Sequence, residues 1–208
     1  MIGLLMNSQS TLSQSTERKT ATPAPDTTHL DVVAPESQER LSPFEAYRHI
    51  RNFRHAEPLT ALGTACLFMS QVEPFKSAGF GHWVDTLKGQ ILRKHYFFSQ
   101  IEGRIVGYCG WALTSHESAQ AWVQGTRELS YQECLDGPCL LVMALHASEP
   151  RVSPYQVLAM RTLFADRELT YWKRITPQGV RVLRYNLQAT GVRRPKLNIE
   201  IAELGRSN

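Results

Sequence analysis

The sequence predicts an α+β fold in which a mostly antiparallel sheet is flanked by helices. Three observations carry this. Apolar residues recur at helical spacing between residues 59 and 94, the period falls to two from His95 onward, and one further helical stretch at 155–168 is set among the later strands. With 208 residues, 42% of them hydrophobic, the chain can bury one sizeable core, which sets the count at one folded domain plus an appendage.

Residues 1–41 read as a flexible leader and 42–208 as the folded domain. All 19 aromatic residues lie from Phe44 onward, whereas half of residues 7–40 are Ser, Thr, Gln or Pro, a composition that buries too little apolar surface to offset its ordering entropy. The boundary is "SPFE": Ser42 can cap a helix, Pro43 suits its first position and Glu45 can close a capping box. A helix with Phe44, Tyr47, Ile50 and Phe53 on one side is expected there. "LTALGTACLFMS" (59–70) reads as a second helix. "PFKSAGFGHWVDTLKGQILRK" reads as a third, with Phe80, Trp83, Val84, Leu87 and Ile91 at helical spacing.

"HYFFSQ", a turn at Glu102-Gly103 and "RIVGYCGWAL" (104–113) then predict an antiparallel hairpin. Glycines at 107 and 110 are unusual inside a strand. They raise the question of what approaches its backbone closely, with two readings equally open: a ligand, or a bulge or packing relief. "RELSY" and "CLLVMALHA" supply two further strands, the second apolar enough to be central. After Pro150 and Pro154, "YQVLAMRTLFADRE" predicts a helix, and "TYWKRI", a "TPQG" turn and "VRVLRYNL" close the pattern.

No run of eighteen apolar residues exists, and "MIGLLM" is too short and lacks the basic flank of a secretory signal, so a cytoplasmic protein without a membrane span is expected. Cys66, Cys109, Cys134 and Cys139 share no CxxC spacing and favour buried thiols over disulfides or zinc. The seven histidines form no HxxxH or HExxH pair, so no metal is predicted.

A hairpin ending in "GRIVGY", a long apolar strand and a helix resemble the core of the GNAT-like acyltransferase fold, in which acyl donors enter where central strands splay. More specifically, "TALGTACLFMS", "YCGWAL", "YQVLAMRTLFADRELTYWKRITP" and "VRVLRYN" resemble, in order, successive blocks of the RTX toxin-activating lysine acyltransferases, the haemolysin-activating family. The resemblance covers roughly residues 59–188. Its most telling block is "YCGWAL", where the family carries Tyr-Cys-Ser-Trp-Ala. It implies a transferase that moves a fatty acyl group from acyl carrier protein to a lysine of a protoxin or other protein acceptor, with acyl carrier protein as donor and no bound cofactor. "ASEPRVSPYQ" agrees in one respect: it lacks the Gly-rich turn that presents backbone N–H groups to a coenzyme A pyrophosphate.

The family's catalytic histidine and aspartate fall on Phe75 and Met143, while the basic residue after the histidine is kept as Lys76. Acyl transfer still needs a proton acceptor near neutrality. His82, two helical turns beyond Phe75 and three residues before Asp85, is the leading substitute, and its plainer reading is a histidine capping an apolar helix face. His146, at the end of the central strand near Glu149, is the second candidate, with an ordinary strand-end histidine as its plainer reading. Lys76, Gly107, Cys109, Gly110 and Trp111 are the expected substrate-binding residues. Cys109 would be a nucleophile only with cations beside it, and its apolar neighbours argue for core packing.

Net charge is +4, and from Arg167 onward nine Lys or Arg face only Glu168, Glu200 and Glu203. Such a surface suits an acidic partner such as acyl carrier protein, or is simply a solvated hairpin face. Nucleic acid would also be attracted, but no recognised DNA-binding motif is present. Self-association as a homodimer is left open. Two readings therefore stand: an active acyltransferase with a relocated base, and a catalytically silent relative acting as an acyl-carrier-binding or regulatory protein.

Overall fold

The computed structural model describes residues 4–5, 47–73, 75–77, 79–176, 179–186 and 199–205. Along the chain these form β1 (Leu4–Leu5), β2 (Arg51–His55), α1 (Pro58–Met69), α2 (Phe80–Leu92), β3 (Tyr96–Ile101) and β4 (Arg104–Thr114). They continue with α3 (His116–Gln124), a 3-10 turn (Gln132–Cys134), β5 (Cys139–Ala147), α4 (Val152–Leu163), β6 (Leu169–Thr176), β7 (Gly179–Asn186) and β8 (Ile201–Leu204). The fold is α+β, as the change of period predicts.

The sheet runs β1-β6-β5-β4-β3-β2-β8, with β7 paired to β6. It is mixed. β2–β3, β3–β4, β4–β5 and β6–β7 pair antiparallel, while β1–β6, β2–β8 and β5–β6 pair parallel. The predicted hairpin is β3–β4, joined by Glu102 and Gly103, both at positive φ (51° and 78°), the pair of left-handed residues that a two-residue hairpin needs.

Alternation along β4 sends Tyr108 and Ala112 to one face and Cys109, Trp111 and Leu113 to the other. On the first face α1 and α2 pack against Tyr96, Phe98, Tyr108 and Ala144, and α3 packs against Ala112, Leu141 and Tyr171. On the second face α4 covers Cys109, Trp111, Leu140, Val142 and Leu145 through Ala159 and Met160. Helix α1 begins where Glu57 accepts the backbone N–H groups of Leu59 (2.9 Å) and Thr60 (2.6 Å), with Pro58 in the first turn. All four cysteines are free thiols, three of them buried.

Several expectations change. Of the helix expected around Phe44–Phe53, Tyr47 is helical among the described residues; a turn then leads into β2, where Asn52 and Phe53 take strand register opposite Ser99 and Phe98 and sheet pairing outweighs the helical spacing. Residues 41–46 lie outside the described set. The third helix starts at Phe80 rather than near residue 74, with Gly79 as its N-cap. "RELSY" is not a strand and leads into the 3-10 turn. In its neighbourhood the chain builds a helix the periodicity did not mark, α3, which Ser115 caps by accepting Ser118 N–H and Gly125 ends at φ 74°. Helix α4 begins three residues before Tyr155, taking Pro154 into its first turn, and ends at Leu163. Leu4–Leu5, within the stretch expected to be a leader, pair with Arg174–Ile175, and residues 6–46 lie outside the described set. No helix among the described residues is long and apolar enough to cross a membrane.

Candidate functional site

Strands β5 and β6 pair for only four residues, Cys139–Val142 with Leu169–Trp172, although β5 runs on to Ala147 and β6 to Thr176. A bulge helps turn β5 away. Gly110 stands opposite Ala144 and Trp111 opposite Val142, so Met143 is left without a partner in the ladder. Past its pairing with β5, β6 takes β1 as its neighbour, Leu4–Leu5 opposite Arg174–Ile175, and on the α4 side of the β5–β6 paired stretch lies a cavity of about 310 Å3.

The cavity is lined by Leu140, Val142 and Leu145 of β5, Val157, Met160 and Arg161 of α4, Thr170 and Trp172 of β6, and Tyr185 and Asn186 of β7. Its walls are chiefly hydrocarbon, with polar groups at few points. Thr170 Oγ1 and Trp172 Nε1 are buried without a hydrogen-bond partner. An apolar cleft with a small number of convergent polar atoms is the usual form of a small-molecule site. A flexible aliphatic chain suits these walls.

The sequence-predicted residues lie elsewhere. Gly107 and Gly110 are indeed approached closely, but by side chains of the protein. A Cβ at residue 110 would run into the Gln90 amide from α2, and one at 107 into the Gln156 amide and Val152 from α4. Both glutamines are fully buried; Gln90 Oε1 accepts the Tyr108 hydroxyl at 2.7 Å, and Gln156 Nε2 donates to the His146 carbonyl at 3.2 Å. Cys109 is wholly buried, and burial pushes its thiol far above its ordinary range. Trp111 is buried between Phe97, Phe164 and the stacked ring of His95, whose centroid is 5.9 Å away.

His82 is exposed on α2, and no hydrogen bond or ion pair among the described residues joins it to exposed Asp85. Lys76 is exposed in the α1–α2 connection. His146 is half-buried against Phe68, with ring centroids 5.6 Å apart, and burial lowers its pKa so that the ring favours its neutral form. Its expected neighbour Glu149 is held instead by Arg104 (2.5 Å) and Arg151 (3.0 Å). Phe75, 2% exposed, packs edge-on to Trp83 in the α1–α2 core. His82 and His146 are not brought together by any recorded contact among the described residues.

Sequence reasoning missed the cavity and the two glutamines, since nothing local marks either. It also missed His95, which sits between cations. Burial, with Arg93 and Arg54 nearby, lowers its pKa to about 4. Among the described residues no group of three or more His, Cys, Asp or Glu converges as a metal site would. Compared with known proteins, the chain matches no family model and no curated protein.

Proposed function

We propose that this chain is a divergent, GNAT-like relative of the toxin-activating lysine acyltransferases that binds the acyl group carried by an acyl carrier protein. The observation that carries the reading is the apolar cavity between α4 and the paired stretch of β5 and β6. Walls of Leu, Val and Met suit an aliphatic chain. Exposed Arg181 and Arg184 on β7, the strand that also supplies Tyr185 and Asn186 to the cavity, suit an acidic carrier.

Binding without transfer is the better-supported form. Phe75 and Met143 stand where the resemblance calls for the catalytic histidine and aspartate, and Phe75 is part of the packed core. An active enzyme is the second reading: His146 is a half-buried imidazole disposed to be neutral, but it packs on Phe68 at the α1 face of β5, opposite the cavity, so this reading needs the acyl group to enter from the α1 side.

The test incubates the protein with acyl carrier protein bearing a long acyl chain and with a lysine-containing acceptor, following binding by titration and transfer by intact mass. Saturable binding that weakens with salt and needs the acyl chain, without transfer, supports the silent relative. Transfer lost in His146→Ala supports the enzyme, transfer lost only in His82→Ala moves the base to α2, and no binding of the charged carrier overturns the proposal.

A further inference from the structure

Three residues from separate segments meet at the N-terminal ends of β5 and β6. Cys139 opens β5, His116 opens α3 and Glu168 immediately precedes β6. His116 Nδ1 lies 3.1 Å from Cys139 Sγ, and its Nε2 lies 2.8 Å from Glu168 Oε2. The thiol and carboxylate are thus on opposite nitrogens of one ring. They cannot converge on a single metal ion, and their order is that of a proton relay.

The surroundings fix this order. Pro138 O accepts Glu168 N–H at 3.0 Å, and Arg167 donates to Asp136 and the Gly137 carbonyl, which ties the loop before Cys139 to the loop before β6. Gly137 lies so close to the Thr114 backbone that no side chain fits between them. Burial, then Glu168, pushes the Cys139 thiol up to about 11. Sulfur therefore rests protonated, S–H donating to Nδ1 and Nε2–H to Glu168.

A second observation points to a ligand. Thr114 stands directly opposite Cys139 across the β4–β5 ladder, so the two side chains share one face. Thr114 is 1% exposed, and its Oγ1 has no hydrogen-bond partner. The thiol is fully buried, yet the imidazole over it is 43% exposed and Glu168 is 62% exposed. A reagent reaches the sulfur only when that half-exposed ring turns aside.

We propose that Cys139 is an oxidant-reactive modification site, converted to a sulfenic acid by a small hydroperoxide with His116 as general base. Sulfur attacks the near peroxide oxygen, an S–O bond forms and the O–O bond breaks. The thiol proton passes to His116 Nδ1 and on to the leaving oxygen. Sulfur is oxidised by two electrons and the peroxide is reduced to an alcohol, or to water from hydrogen peroxide. Thr114 Oγ1–H supplies the otherwise unpaired donor to the oxygen gained by sulfur. Glu168 is a positioning residue that holds the ring in the accepting tautomer.

The test treats the full chain with a small excess of hydrogen peroxide, removes the peroxide, unfolds the chain in the presence of dimedone and maps the adducts. Cys139 is expected to label ahead of the more exposed Cys66. Glu168→Gln should slow Cys139 labelling at least about tenfold, as expected for loss of an oriented base, and Glu168→Asp should restore most of it, both at unchanged unfolding midpoint. Labelling of Cys66 before Cys139, or a wild-type rate in Glu168→Gln, overturns the proposal.

Discussion

Tyr108 donates its hydroxyl hydrogen to Gln90 Oε1 at 2.7 Å, and the buried pair locks the glutamine amide over the backbone of Gly110. The amide fills the space in which a side chain at residue 110 would stand. Gln90 cannot swing away without leaving the Tyr108 hydroxyl unpaired in a core where neither residue meets water.

Gly110→Ala should therefore destabilise the protein by about 1–3 kcal/mol, the usual range for overpacking a filled core. Tyr108→Phe, which strips Gln90 Oε1 of its donor, should cost a similar amount, about 1–3 kcal/mol. Urea unfolding of the variants measures both. Gly110→Ala at wild-type stability would mean that Gln90 moves freely.

Filling the cavity should separate ligand binding from folding. Val157→Trp places a large ring in the space between α4 and β6. Affinity for a fluorescent long-chain fatty acid is expected to fall at least about tenfold, or 1.4 kcal/mol, while the far-ultraviolet spectrum stays unchanged. Thr170→Val removes a buried hydroxyl that has no partner, and should raise the stability of the unliganded protein by about 1 kcal/mol.

His95 makes stability depend on pH in a definite window. Its folded pKa is lowered from 6.5 to about 4. Above pH 6.5 the ring is neutral in both states and its contribution is fully present. As pH falls from 6.5 to about 4, the unfolded chain takes up a proton that the folded chain refuses, and stability is lost. The loss is no more than about 2 kcal/mol, because the ring is part-exposed and solvent screens it. His95→Phe keeps the stacking on Trp111 and removes the proton site. Subtracting its urea midpoints from those of the wild type across this range should isolate the effect from His146 and His55, whose pKa values are also lowered by burial.

Helix α3 depends on its cap. Ser115 Oγ accepts Ser118 N–H at 3.1 Å, and Ser115→Ala should cost about 1 kcal/mol. Ser115→Asp, which can accept the same bond and complements the helix dipole, should cost little. Hydrogen exchange at residues 118–121 reports the local change.

Much of the architecture was legible in the residue pattern. The alternation of "HYFFSQ" and "RIVGYCGWAL" around Glu102-Gly103 determined the hairpin, because a period of two and a tight turn are local properties. The apolar runs at 58–69 and 139–147 determined α1 and β5, and the glycines at 107 and 110 correctly announced a close approach. What approaches them was decided only by tertiary structure. Gln90 and Gln156 come from helices on opposite faces of the sheet, 20 and 49 positions away in the chain from Gly110 and Gly107. The same holds for the cavity, which α4 and three strands wall together, and for Cys139, His116 and Glu168, each unremarkable in its own segment. Periodicity records which face of an element is buried. It carries no information about which distant side chain will be set against that face, since this follows from strand order and loop path.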